Sequence, residues 1–278
     1  MSQPEQATSA HPPWKAARRI LLLIAHPDDE VVGCCAAIGR ARAAGAKVFG
    51  LVLTTGVPAR DVLWPWDRHR HGQHVARRRD ECRAVAALLG LSGMAFLDLP
   101  ARGLRGALLD VRKQVLETIA WLRVETVWAP AYEGGHTDHD SASMLAASLP
   151  EGPGKADVTV YEYAEYNFLG GTVRSQTFPA TLGPECILEL SAEEAQLKRQ
   201  ALARYSSAQG DLVYVGVGRE AFRPIAAYDY SRPPHEGKLF YQRFQWVFFR
   251  HPRVDFTQPA EVCRDLLRFR SSLAAPAQ

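Results

Sequence analysis

The sequence lacks the features of a secreted, membrane-spanning or disulfide-stapled protein. Its five cysteines are an odd number without a Cys-x-x-Cys pair, and a chain of 278 residues does not need a disulfide framework. Residues 1–14 are polar and contain prolines, so they have no apolar core of a signal peptide. No uncharged apolar stretch approaches the roughly 20 residues that span a bilayer. We therefore expect a soluble, cytoplasmic protein with reduced thiols and no membrane insertion.

The sequence also lacks a strong charge of either sign. It has 33 Lys and Arg against 30 Asp and Glu, a net charge of +3, which is too mild to indicate a nucleic-acid partner. Neither Gly-x-Gly-x-x-Gly nor a P-loop follows the first predicted strand, which argues against a nucleotide site. The charge excludes neither an acidic small-molecule substrate nor a homo-oligomer.

Apolar runs alternate with helical segments through the first part of the chain. Residues 20–24 are a continuous apolar run, typical of a buried strand. Further strands are predicted at 48–53, 94–99, 126–129 and 158–163, and helices at 30–44, 74–89, 108–122 and 137–147. This succession predicts a doubly wound, Rossmann-like α/β fold with a mainly parallel sheet, in which the first and fourth strands are neighbours.

The remaining sequence is more irregular. We expect residues 1–15 to be a disordered tail and residues 16–278 to be a single domain, divided into a core (16–165) and a packed C-terminal extension (166–278). Within the extension we predict a strand at 186–190, a helix that a capping box opens at Ser191, and an aromatic strand at 240–249.

Two clusters of potential metal ligands follow predicted strands. The first ligand cluster, residues 25–30 (Ala-His-Pro-Asp-Asp-Glu), comes directly after the first strand. Three carboxylates beside one histidine repel each other unless a cation compensates for them. The second ligand cluster, residues 132–140 (Tyr-Glu-Gly-Gly-His-Thr-Asp-His-Asp), follows the fourth strand, and its glycines allow a tight turn. If the two strands are neighbours, the clusters meet at the crevice where such folds bind ligands.

Two histidines and a carboxylate, with one position left for water, form a hydrolytic zinc set. Spacing alone does not say which carboxylate of the first ligand cluster would bind the metal.

The two clusters resemble the signatures of the LmbE/PIG-L family of zinc-dependent N-deacetylases. These are His-Pro-Asp-Asp-Glu after the first strand, here at 26–30, and His-x-Asp-His after the fourth, here at 136–139. The agreement is specific because two separate clusters match in both content and position.

The resemblance implies that His26, Asp29 and His139 hold one zinc ion per chain. Asp28 would then be the general base that takes a proton from water. His136 would stabilise the oxyanion or protonate the leaving amine.

Two carboxylates take supporting roles in this interpretation. The resemblance implies that Asp138 orients His136. We assign Glu30 to the helix N-terminus, where an anion is stabilised, with a supporting role behind the ligands.

Three further residues are candidates for substrate binding. Arg78 matches an arginine that the family often carries three residues before a glutamate. Arg102 stands where sugar-deacetylating relatives have the Asp of Pro-Asp-Gly, which holds sugar hydroxyls. His235 belongs to the C-terminal extension. We interpret Trp64 and Trp66 first as core packing and second as an aromatic loop beside a carbohydrate site.

The resemblance implies a metal-dependent deacetylase that removes an acetyl or small acyl group from the amine of a sugar, such as GlcNAc, or a sugar conjugate. Because Arg102 stands in place of that aspartate, a metal-dependent amidase that acts on a non-sugar N-acyl substrate is an alternative. A non-catalytic binding module on the same scaffold is the alternative from another class, and the retained Asp28 argues against it.

Overall fold

Strand β1 (Arg19–Ile24) lies in the middle of a seven-stranded sheet in the computed structural model, which describes residues 11–15, 17–249 and 251–274. Most of the tail predicted at 1–15 lies outside these residues. Five of the six residues of β1 are fully buried, as expected from their continuous apolar run.

Strands and helices alternate along the first part of the chain. The other strands are β2 (Lys47–Pro58), β3 (Gly93–Ala101), β4 (Thr126–Pro130), β5 (Thr159–Tyr163), β6 (Tyr166–Asn167), β7 (Arg174–Ser175), β8 (Cys186–Glu189) and β9 (Arg219–Pro224). The helices are α1 (Asp29–Ala43), α2 (His71–Leu89), α3 (Leu108–Leu122), α4 (Thr137–Ala147), α5 (Ala192–Arg204), α6 (Gln209–Leu212) and α7 (Pro259–Ala274).

The sheet has the strand order β3-β2-β1-β4-β5-β9-β8. The first five strands pair in parallel, whereas β9 and β8 add an antiparallel edge. The predicted mainly parallel α/β fold is therefore confirmed. Since β1 and β4 are neighbours, the switch point lies between them.

Helices cover both faces of the sheet. Leu21 and Leu23 of β1 pack with residues of α3, α4 and α7, whereas Ile20 and Leu22 pack with residues of α1, α2 and α5. The alternation of strand side chains thus divides one apolar run between two cores.

The C-terminal extension differs from the prediction in several elements. The aromatic strand predicted at 240–249 is wrong, because a 3₁₀ turn (Phe240–Gln242) and irregular backbone occupy that segment. The helix opened by Ser191 is confirmed, with both hydrogen bonds of its capping box. Strand β9 and helix α7 were not predicted.

A buried ion pair of the extension hydrogen-bonds to the backbone of α1. The carboxylate of Glu220 on β9 accepts the backbone N–H groups of Ala36 and Ala37, both at 3.0 Å. Lys198 Nζ on α5 donates to Val32 O at 2.8 Å and to Glu220 Oε1 at 3.0 Å. The extension therefore holds the helix that starts within the first ligand cluster.

No helix in the described part of the chain has the length and apolarity that a membrane crossing requires. All five cysteines are buried and lie outside any disulfide among the described residues.

Candidate metal centre

The carboxyl ends of β1 and β4 bring the two ligand clusters together. His26 follows β1, and His139 lies in the first turn of α4. His26 Nδ1 and His139 Nε2 are 3.1 Å apart, although 113 sequence positions separate the residues. The turn between β4 and α4 requires glycine. Gly134 has a φ of +70°, and a Cβ on Gly135 would lie 2.5 Å from Tyr166 O.

Asp138 fixes the tautomer of His26. Its Oδ2 lies 3.0 Å from His26 Nε2. Burial alone would raise the pKa of Asp138, but the hydrogen bond with His26 and the nearby His136 lower it to about 2. An ionised carboxylate can only accept, so His26 Nε2 carries the proton. The lone pair of His26 Nδ1 then points towards His139.

His139 directs its Nε2 towards the position that His26 Nδ1 also faces. Its ring is fully buried, and its Nδ1 lies 3.3 Å from Glu165 Oε2. Burial lowers the pKa of His139, but the carboxylates of Glu165 and Asp29 raise it to about 10. The group therefore favours a positive charge where the two imidazole nitrogens converge.

Asp29 completes the group with a carboxylate. Its Oδ1 is 3.5 Å from His139 Nε2, and its Oδ2 is 3.8 Å from His26 Nδ1. Burial would raise the pKa of Asp29, but the two histidines lower it to about 2. Its Oδ2 also accepts the backbone N–H of His26 at 2.7 Å, which orients the carboxylate.

These donors fit a zinc ion. One ligand atom from each of His26, Asp29 and His139 lies within 4.8 Å of the others. Two metal bonds of about 2 Å span at most about 4 Å, and the separations of 3.1 to 3.8 Å lie within that reach. Two imidazoles and one carboxylate, with a position left for water, are a hydrolytic donor set.

A second group, His26, His136 and Asp138, brings its ligand atoms within the same distance. Asp138 is committed elsewhere, however, because it accepts N–H groups from the backbone of Arg102 at 2.6 Å and of Leu104 at 3.1 Å, as well as from His26. This group is therefore the poorer metal site.

Asp28 lies beside the ligands in a strained conformation. Its φ of 151° and ψ of −21° are rare for a residue with a side chain, and such strain tends to occur at functional sites. Its carboxylate faces the cavity and accepts from Arg78 Nη2 at 3.2 Å. Arg78 therefore reaches the cleft, as expected of a substrate-binding candidate, and contacts Asp28 there.

Asp138 contacts His136 through its backbone and His26 through its carboxylate. Its carboxylate hydrogen-bonds His26, whereas His136 Nδ1 is 3.7 Å away, beyond a hydrogen bond. His136 Nδ1 instead accepts the backbone N–H of Asp138 at 3.0 Å. His136 therefore carries its proton on Nε2 and can act as a neutral donor towards the cavity that it lines.

Buried carboxylates behind the ligands form a support that was not predicted from the sequence. Asp140 Oδ1 accepts the N–H groups of Glu133 and Gly134 at 3.3 and 3.0 Å. Glu133 Oε1 accepts those of Glu165 and Tyr166 at 2.8 and 3.0 Å. Burial raises the pKa of Glu133 to about 8 and that of Asp140 to about 7. These bonds fix the backbone that places Glu165 behind His139.

Glu30 packs behind the first ligand cluster. It is fully buried, its Oε1 accepts from the hydroxyl of Tyr205, and its Oε2 accepts the backbone N–H of Asp28 at 3.2 Å. Burial raises its pKa to about 8. Its contacts thus support the strained residue before the ligand Asp29.

The ligands open into a cavity of about 570 Å³. Arg102 lines it with a φ of +70°, and its Nη2 donates to Pro252 O at 2.9 Å. The guanidinium is thus tied to the C-terminal extension. His235 was expected to bind substrate, but it is absent from the cavity lining and its Nδ1 contacts Glu236 O at 2.8 Å. Trp64 lines the cavity instead of packing in the core.

Comparison with known proteins gives a family match and a characterised relative. The PIG-L family, described as GlcNAc-PI de-N-acetylase, matches residues 21–149. A 2′-N-acetylparomamine deacetylase of Streptomyces fradiae is 33% identical over 51% of this chain, and the alignment spans 61% of that protein's length. The matched family segment contains both ligand clusters.

Solved structures with the same fold include deacetylases. A deacetylase of the teicoplanin biosynthesis pathway superposes with a TM-score of 0.60 at 20% identity, over 76% of this chain and 99% of that one. An N,N′-diacetylchitobiose deacetylase of Pyrococcus horikoshii gives a TM-score of 0.53 at 19% identity, over 78% and 86% of the chains. At this identity the likeness supports the fold alone.

Proposed function

We propose that the chain, whose residues 21–149 match the PIG-L family, is a zinc-dependent hydrolase that removes an acetyl or small acyl group from the amine of a sugar or sugar conjugate. The observation that carries the proposal is the convergence of His26 Nδ1, His139 Nε2 and the Asp29 carboxylate beside the cavity that His26 and Asp29 line. The relative from Streptomyces fradiae, a 2′-N-acetylparomamine deacetylase by its name, supports the substrate class.

His26, Asp29 and His139 would hold the zinc ion. A zinc ion there would lower the pKa of a bound water towards ~7 and polarise the acyl carbonyl. Asp138 keeps the proton of His26 on the nitrogen that faces away from the metal, and Glu165 Oε2 lies 3.3 Å from Nδ1 of His139, on the far side of that ring.

Asp28 is the proposed general base. Its carboxylate faces the cavity and is adjacent in sequence to the ligand Asp29. Arg78 donates to Asp28 Oδ2 at 3.2 Å and orients the carboxylate, which is the group proposed to accept a proton from the attacking water. The same carboxyl group can then return that proton to the departing amine.

His136 is the proposed donor to the oxyanion. A backbone N–H occupies its Nδ1, so Nε2–H is the group available to an oxygen that gains negative charge. A neutral imidazole can perform this task. Protonation of the leaving amine would require the imidazolium form, and we do not assign that role to His136.

Arg102 favours a second candidate, a metal-dependent amidase on a non-sugar N-acyl substrate. Its guanidinium is bound to Pro252 O and lies 3.9 Å from Asp255 Oδ2. It therefore does not replace the aspartate that would hold sugar hydroxyls.

The test combines metal analysis with a substrate screen. We expect about one zinc per chain and loss of activity with a chelator. Acetate release should be measured on N-acetylamino sugars, their glycosides and simple N-acyl amines. Release only from the amines would select the second candidate. Zinc binding without release from any of them would favour the non-catalytic binding module.

A further inference from the structure

An aromatic surface adjoins the metal cavity at its mouth. It consists of Trp64, Trp66, Phe249 and His251, which we call the aromatic platform. Trp64 and His251 line the cavity itself. The indole rings of Trp64 and Trp66 stack with centroids 5.1 Å apart and planes 9° from parallel. Trp64 also contacts Phe249 at 6.5 Å and His251 at 5.5 Å between centroids.

The platform is exposed beyond what folding requires. Trp66 is 69% exposed and Phe249 is 48% exposed. A contiguous apolar surface of this kind on a soluble domain usually marks a binding site. Because it continues the wall of the cavity, a substrate with its amide at the metal would extend over it.

Hydrogen bonds hold both sides of the platform in place. The guanidinium of Arg68 donates to Leu63 O at 3.1 Å and to Asp61 O at 2.8 Å, which fixes the loop before α2. On the other side, Arg102 Nη2 donates to Pro252 O at 2.9 Å, next to His251. The rings are thus preorganised, which lowers the entropy lost when a ligand stacks on them.

Polar groups of the loop that carries Trp64 and Trp66 already have partners within the protein. The carbonyls of Asp61 and Leu63 accept from Arg68, and the carboxylate of Asp67 lies 3.2 Å from His74 Nε2. A sugar ring needs acceptors for its hydroxyls, whereas an aromatic group needs only ring faces and edges. The surroundings therefore favour an apolar aromatic group over a second sugar.

We propose that the aromatic platform is a subsite for an aromatic group carried by the acyl acceptor, such as an aryl aglycone of an N-acetylated amino sugar. The proposal rests on the proposed deacetylation for the position of the amide. It assigns Trp66 and Phe249 to substrate selection and not to chemistry.

The experiment compares 2-naphthyl and methyl glycosides of N-acetylglucosamine. Acetate release is measured with the zinc-loaded wild type and with Trp66→Ala. We expect the naphthyl glycoside to have the higher kcat/KM in the wild type. Trp66→Ala should lower its kcat/KM by about 2- to 12-fold, the range that one aromatic pair supplies, mainly through KM. The methyl glycoside should change by less than about twofold.

Trp121→Ala is the matched control, because Trp121 is 82% exposed on α3 and does not line the cavity. It should leave both substrates unchanged. Circular dichroism and the melting temperature confirm that each variant folds.

A binding measurement separates the subsite from the proposed function. Calorimetric titration with 2-naphthyl β-D-glucoside, which carries no acyl group, should show binding that weakens in Trp66→Ala. Such binding without hydrolysis of either N-acetyl glycoside would support the subsite and overturn the function. Equal hydrolysis of both glycosides, unaffected by Trp66→Ala, would overturn the subsite alone. Trp66-dependent binding to phosphatidylcholine vesicles without a preference for the naphthyl glycoside would also overturn it, in favour of a membrane-facing surface.

Discussion

The replacement Asp138→Asn tests the arrangement of the metal centre most directly. In the structure Asp138 Oδ2 accepts from Arg102 N at 2.6 Å and from His26 Nε2 at 3.0 Å, and Oδ1 accepts from Leu104 N at 3.1 Å. An asparagine amide offers one acceptor and one donor, so one orientation turns its NH₂ towards Arg102 and His26 and the other turns it towards Leu104. In either orientation at least one N–H donor of the protein faces the asparagine NH₂ group, which is also a donor.

The change in hydrogen bonding at His26 determines how much zinc affinity is lost. If the NH₂ faces His26, the imidazole must move its proton to Nδ1, where it blocks the lone pair that points to the metal. If the NH₂ faces Leu104, His26 loses an ionised acceptor and becomes a weaker ligand. Changes to residues that support a ligand typically cost 10- to 100-fold in metal affinity, or about 1.4 to 2.8 kcal/mol. We expect a loss of zinc affinity in that range.

Competition with a fluorescent zinc chelator near neutral pH measures the affinity. Asp157→Asn, at an exposed position, is the control and should bind zinc like the wild type. His136→Ala should keep zinc and lose turnover. If Asp138→Asn behaves in the same way, with unchanged zinc affinity, then Asp138 acts on His136 after all and the reasoning from the 3.0 Å contact is refuted.

Four further outcomes are expected from the same contacts. Asp28→Asn should keep its zinc and lose turnover by about 100-fold or more, measured as acetate release beside elemental analysis. His139→Ala should bind zinc more weakly, and wild-type zinc content after dialysis against a chelator would contradict its assignment as a ligand. Lys198→Met should lower the free energy of unfolding in urea by about 3 to 5 kcal/mol, because it leaves a buried unpaired charge, and adding Glu220→Leu should recover part of that loss. Burial raises the pKa of Glu30 from 4.5 to about 8, so the folded state binds this proton more tightly. The unfolding free energy of the wild type should therefore fall relative to Glu30→Gln as the pH rises from 4.5 to about 8, which urea unfolding at several pH values checks.

The core of the fold could be predicted because its local signals agree. The strands β1, β2 and β4 are apolar runs that end in turns, and helices α1 and α2 each precede a glycine with positive φ, Gly45 and Gly90. Parallel strands in this order place the first and fourth side by side. That adjacency was enough to predict that the two ligand clusters meet.

Strand β9 could not be predicted because two of its buried residues are charged. Glu220 and Arg223 interrupt the apolar pattern, and both are fully buried only because partners compensate for them. Lys198 pairs with Glu220, and Glu162 pairs with Arg223. These partners come from other elements, so no local window of sequence contains the reason for burial.

Helix α7 did carry a usable signal. Val262, Leu266 and Phe269 have the spacing of one helical face and are all buried. Charged residues between them obscured that spacing.

Glu165 was missed for a different reason. It stands alone after β5, outside any motif. The residues directly after the strand next to β4 were the place to search for it, because neighbouring parallel strands deliver their carboxyl ends to the same edge.

The proposed metal chemistry and the proposed choice of acyl acceptor depend on different parts of the chain. The family match ends at residue 149 and includes every proposed zinc ligand. The residues after it supply Glu165 behind one ligand, the Lys198–Glu220 pair that holds α1, and half of the aromatic platform. Substitutions at the ligands should therefore abolish turnover of every substrate, whereas substitutions at Phe249 should change which acceptors are used. A chain that keeps residues 26–30 and 136–139 but carries another extension would be expected to perform the same hydrolysis on a different acceptor.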